Sequence, residues 1–155
     1  MNSNDRIIYH ATYMEKEFPE IRKSRFTKDF SWGFYCTEIQ EQAEQQASKF
    51  NESIVNVYRL RNIKYLNVKI FSDYSEEWLQ FIVSCRNGQT HEYDVVIGPR
   101  ADDTIYDYIE AYTQEKMNQQ RFFNLMKSQY PAHQISLHTI KSLVHLDFIR
   151  SYSVI

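Results

Sequence analysis

Glycine is scarce in this chain: three in 155 residues, with three prolines and two cysteines beside them. Two cysteines cannot build a disulfide framework, and Cys36 and Cys85 both stand in apolar surroundings, so they read as buried free thiols. The five histidines show no ligand spacing with Cys or Glu, and no metal centre is expected. No apolar run reaches the length that spans a bilayer and no charged-then-apolar leader is visible, which sets the expectation of a cytoplasmic protein without membrane contact. A net charge of −2 argues against broad electrostatic attraction to nucleic acid or anionic lipid. It leaves room for a local patch. The dense basic run Arg22, Lys23, Arg25 and Lys28 is either such an anion site or a solvated loop.

What the chain has in quantity is aromatic surface, twelve Tyr and ten Phe. Its length suits one domain, residues 1–155, with a core of useful size. Neither an internal repeat nor a low-complexity segment divides it. "RIIYHAT" (6–12) reads as a strand, 13–33 as a long loop, and "GFYCT" (33–37) as a short strand. Thr37 with Gln40 makes a capping-box pattern for a helix whose apolar face is Ile39, Ala43, Ala47 and Phe50. "SIVNVYRL" (53–60) and "KYLNVKIF" (64–71) read as strands. Asp73 with Glu76 suggests a cap for a helix over 75–87 that buries Trp78, Leu79, Ile82 and Cys85 and stops at Gly88. "YDVVIGP" (93–99) is a nearly continuous apolar run and so a central strand. Asp102 or Asp103 caps the next helix, with Ile105, Ile109 and Tyr112 inward, and another spans 118–129. "HQISLHT" (133–139) is a strand, Thr139 caps a helix "IKSLVHLDFIR", and "SYSVI" closes as a strand or tail. The mixed order points to α+β, a split sheet flanked by helices.

Three strand ends carry polar residues where apolar ones are expected: His10 and Thr12 in "YHAT", Tyr35 and Thr37 in "GFYCT", and Gln134 in "HQIS". One of the few glycines, Gly33, sits inside the aromatic cluster "DFSWGFYCT". It either ends a turn or lets something approach the backbone closely.

The pair "YHAT" and "WGFYCTEIQEQA" resembles the His-Tyr-Glu branch of the ADP-ribosyltransferase superfamily, that of diphtheria toxin and the poly-ADP-ribose polymerases. In that branch an "HGT" strand precedes a "GxGxY" strand and helix, and a late strand opens with an acid. The chain is also similar to a small bacterial family of that clan, through "YHAT", "DFSWGFYCT", "EEWLQFI", "YDVVIGPRADD" and "HQISLHT", which together run over nearly the whole sequence. The resemblance implies an ADP-ribosyltransferase-like split β-sheet core. It implies NAD as co-substrate and transfer of ADP-ribose to a protein or nucleic acid, and, for a small bacterial member, a toxin held by an antitoxin protein.

Carried over residue by residue, His10 would bond the adenosine ribose hydroxyls and Thr12 would steady that strand end. The Ala11 backbone would hold the nicotinamide amide, and Tyr35 would stack on the nicotinamide ring. Gly33 would clear space for the dinucleotide. Gln134 stands where the acid is expected, so a neutral amide positions a hydroxyl without stabilising developing positive charge. Asp103 is the candidate for that missing charge, or else a helix cap. Arg25 and Lys23 are candidates to meet the pyrophosphate or an acidic target, and Arg86 at the end of helix 75–87 is a further candidate. The alternatives to a transferase are a catalytically weak module that grips NAD or a partner, and an NAD glycohydrolase.

Overall fold

The computed structural model describes residues 5–21, 28–101, 103–126 and 132–154, with the side chains of 103 and 132 left aside. Among them are seven strands and five α-helices in mixed order, an α+β architecture of two sheets. β1 (Arg6–Thr12), β3 (Ile54–Leu60) and β7 (Leu146–Ser153) form an antiparallel sheet with β3 in the middle. β2 (Phe34–Cys36), β6 (Ala132–Leu137), β5 (Val95–Arg100) and β4 (Val68–Ile70) form the second, in that order, with only β4 and β5 parallel. The sheets meet where Tyr9 on β1 bridges Thr37, the residue after β2.

Alternation along β5 explains the layering. Val95 and Ile97 point into the space between the sheets, against Ile8, Phe34, Tyr58, Ile135 and Leu137. Val96, one residue out of phase, joins the opposite core. There α2 (Glu76–Arg86), α3 (Asp103–Thr113) and α4 (Gln119–Met126) bury Trp78, Leu79, Ile82, Ile105, Ile109 and Phe122 on Phe30 and Phe71. Each of these large side chains contributes about 1.5–3 kcal/mol of burial. β5 is therefore covered on both faces, as its continuous apolar run requires. α1 (Gln40–Ala47) covers the outer face of the first sheet, with Ala43 and Ala47 on Val55 and Val57. Small residues at that contact let helix and sheet come close.

Several local expectations are corrected. α1 has no side-chain cap; Thr37 Oγ1 accepts from the Ile39 amide instead, and Ile39 and Phe50 are exposed rather than part of a buried stripe. α2 is capped by Ser75, which accepts from the Trp78 amide, because Asp73 turns back to the Tyr74 amide. The strand expected over 64–71 is a 3-10 turn at Ile63–Tyr65 followed by β4. The largest correction lies near the end. Thr139 and Ser142 form a capping box, but the helix α5 (Ile140–Val144) runs only five residues before β7 begins at Leu146. Pairing with β3 decides it: Leu146 lies opposite Leu60 and Phe148 opposite Tyr58, so strand formation closes the edge of a sheet whose middle strand is already buried.

Candidate functional site

A cleft of about 440 Å³ opens between α1, the loop before β2 and the ends of β5 and β6. Its wall carries His10, Ala11, Tyr35 and Gln134, so the three polar strand ends read from the sequence converge on one cavity. A second cavity of about 470 Å³ shares His10, Lys28 and Tyr35 with it and adds Gly33 and part of the loop after β1, from Met14 to Glu20. Both fall in the range of roughly 300–1,000 Å³ typical of small-molecule sites. Thr12 is buried and lines neither cavity. Arg25 and Lys23 lie outside the described residues, as does the Asp103 side chain; the Asp103 backbone begins α3.

His10 is held by its Nδ1, 2.7 Å from the Tyr35 carbonyl, and by its ring on Phe34 at 4.2 Å. A carbonyl only accepts, so Nδ1 carries the proton. Burial lowers the imidazole pKa to about 4 despite that bond, leaving a neutral ring whose Nε2 is an acceptor. Tyr35 has its hydroxyl committed: it donates to the Ser31 carbonyl at 2.6 Å and accepts from the Phe30 amide at 2.9 Å. Burial raises its pKa, so the phenol stays protonated. Only the ring is left for a ligand, and Lys28 Nζ already stands 5.1 Å from its centroid.

The residue that organises the site is Asp29, which the sequence placed in a motif but not in a role. Its buried carboxylate accepts from Arg86 Nε at 2.9 Å and from a second guanidinium nitrogen of Arg86. Its other oxygen accepts from the Ala101 amide at 2.8 Å and from Gln134 Nε2 at 3.0 Å. Arg86, a pyrophosphate candidate on sequence grounds, is thereby fixed, with its guanidinium 4.1 Å from the Tyr106 ring centroid. The bond to Asp29 also fixes which way the Gln134 amide faces. Its NH2 turns to the carboxylate, and its carbonyl oxygen is left as an acceptor at the cavity. Gln42 on α1 grips the neighbouring His133 at both backbone atoms, 2.7 and 3.1 Å, and so stitches the helix to the strand that carries Gln134.

Two histidines complete the support. His91 Nε2 donates to the Phe30 carbonyl at 2.8 Å, and His138 Nδ1 donates to the Trp32 carbonyl at 2.8 Å. Their rings meet edge to face at 4.4 Å, and burial lowers both pKa values, that of His138 to about 4. This clamp gives Gly33 a reason within the protein itself, beside its place on the second cavity. A Cβ there would lie 2.7 Å from His138 Nδ1 and 2.8 Å from the Leu137 carbonyl. The close approach is made by the protein itself.

Sequence reasoning missed Asp29, His91, His138 and Arg100. Arg100 was legible as a charge ending the apolar strand, inside "IGPRADD". The two histidines left no local signal, since their partners are backbone carbonyls distant in the chain.

No curated protein and no solved structure matches this chain. A family model described as "Protein of unknown function (DUF3990)" matches residues 6–148, and the chain belongs to that family.

Proposed function

We propose that this chain is an NAD-dependent mono-ADP-ribosyltransferase on an ADP-ribosyltransferase-like split sheet. In this reading it cleaves the nicotinamide–ribose bond, passes ADP-ribose to a protein or nucleic acid, and acts as a bacterial intracellular toxin paired with an antitoxin protein. The observation that carries it is the convergence of His10, Tyr35 and Gln134, from three separate strands, on one cavity. Neutral His10 offers Nε2 to a ribose hydroxyl. The Tyr35 ring, with its hydroxyl engaged elsewhere, offers a stacking face worth about 1 kcal/mol beyond area burial. The Gln134 carbonyl accepts from a second ribose hydroxyl in the orientation that Asp29 imposes.

Negative charge for an oxocarbenium-like ribose then comes from Asp29 at one remove, through the Gln134 amide, and Arg86 offsets most of it. That arrangement suits slow, single transfer. It also gives weight to the second reading, a module that binds NAD or a partner without turnover. Asp29 is the one carboxylate among the described residues lining the cleft, and both its oxygens are already engaged.

NAD labelled in the adenylate, incubated with purified protein and a bacterial lysate split by nuclease and by protease, tests the proposal. Label in a nuclease- or protease-sensitive band supports transfer and names the acceptor class. Nicotinamide release without labelled macromolecule means a glycohydrolase. Neither label nor nicotinamide rejects the enzyme in favour of the binding module.

A further inference from the structure

Arg100 ends β5, opposite Ala132 of β6, and its partly buried side chain lines the 440 Å³ cleft. Its Nε is shut away from solvent and has no hydrogen-bond partner among the described residues. A buried N–H of a charged group left without an acceptor is costly, and native structures rarely leave one that way. Arg86 on the same wall shows the contrast, since its guanidinium is fixed between Asp29 and Tyr106.

The charge balance of the wall points the same way. Among the described lining residues, Lys28, Lys49, Arg86 and Arg100 face a single carboxylate, Asp29. Arg86 takes that carboxylate, so among the described residues Lys49 and Arg100 have no ion pair and Lys28 has only the shared Asp29 beside it, in a chain whose net charge is −2. They come from three elements: the loop before β2, the turn after α1 and the end of β5. Burial lowers the pKa of Lys28, as expected for an ammonium held in a concavity without an adequate partner. The neutral amides Gln46 and Gln134 on the same wall suit hydroxyls rather than further charge. Like charges gathered in a concavity repel one another and are stabilised by an anion carrying two or more negative charges.

We infer that Arg100, Lys28 and Lys49 form a subsite for the diphosphate of a nucleotide, with Arg100 as the forked donor and the lysines as point charges. Arginine's planar fork suits phosphate oxygens, and its unpaired Nε becomes satisfied only when the anion is present. The anion specificity rests on the cavity alone. That the diphosphate belongs to a dinucleotide rests on the transferase reading.

Isothermal titration of the full chain at low ionic strength tests this, with ADP, inorganic pyrophosphate and adenosine as probes. Arg100→Gln and Lys49→Gln are the variants, and Lys64→Gln, on the exposed 3-10 turn, is the control for net charge. ADP and pyrophosphate should both bind, about 10- to 100-fold more weakly in Arg100→Gln and several-fold more weakly in Lys49→Gln. Adenosine should be indifferent to all three changes, and added salt should weaken only the two anions. If Arg100→Gln proves unstable, the exposed Lys49 decides alone. Equal ADP affinity in wild type and variants overturns the subsite, as does failure of wild type to bind either anion. Nicotinamide release from NAD is scored separately. Turnover with ADP binding indifferent to Arg100 and Lys49 sinks the subsite and spares the transferase. Arg100-dependent ADP binding without turnover does the reverse.

Discussion

The loop Asp29–Gly33 and the cavity wall beside it treat their polar atoms in opposite ways. In the loop, Asp29, Phe30, Ser31 and Trp32 each hand polar atoms to side chains from other parts of the fold: Arg86, Gln134, His91, Tyr35 and His138. On the wall, His10 and Gln134 are each held on one side and open on the other, and Arg100 has its Nε unanswered. The difference separates scaffolding from recognition. Groups answered from within the protein should matter to stability and little to binding, and groups left open should behave the other way round.

The largest effect expected is at Asp29. Asp29→Ala leaves Arg86 and the Ala101 amide without their acceptor in a buried setting and should cost about 3 kcal/mol. At about 2–4 °C per kcal/mol for a chain of this size, thermal unfolding should move down by roughly 6–12 °C. A shift under about 2 °C would remove Asp29 from the scaffold. Next comes Gly33→Ala, which drives a methyl group into His138 and the Leu137 carbonyl and should cost about 1–3 kcal/mol by urea unfolding. His138→Ala in the same chain should return only part of the loss, because the carbonyl stays in place.

The third effect is one of pH. His10 and His138 have folded pKa values near 4 against an ordinary 6.5, and that of His91 is lowered as well. A depressed value means the neutral form favours folding, so their contribution is complete above about pH 6.5 and is lost as pH falls toward 4. Each of the two deeper shifts is worth on the order of 3 kcal/mol across that window. His138→Gln should flatten the slope of stability against pH, and an unchanged slope would mean that His138 does not titrate with folding. The smallest change in stability belongs to His10→Ala, under about 1 kcal/mol, yet NAD affinity by titration should fall at least tenfold. If stability falls and affinity holds, His10 joins the scaffold and the comparison breaks.

The sequence made the wall legible and hid the loop. His10, Tyr35 and Gln134 were visible because a polar residue at the end of an apolar strand violates period-two patterning, and such a violation is local. Trp78, Leu79, Ile82 and the central strand β5 were legible for the same reason in reverse, since their pattern was obeyed. Asp29, His91 and His138 act through partners tens of residues away; Asp29 and His138 stand in motifs the sequence singled out, but no local pattern gives any of the three its role. The segment 146–150 misled because its apolar spacing fits a helix, while the free edge of β3 made it a strand.

Tyr9 and Thr37 exchange both backbone hydrogen bonds, at 2.8 and 2.9 Å, and form the bridge that joins the two sheets. Each stands one residue from a residue on the cleft wall, His10 on one strand and Cys36 on the other. Sliding one sheet along the other would have to break both of these bonds and shear the shared core of Ile8, Phe34, Tyr58 and Val95. The bridge therefore fixes the register between the sheets, and the amide protons of Tyr9 and Thr37 should exchange more slowly than those at the rim of the cleft.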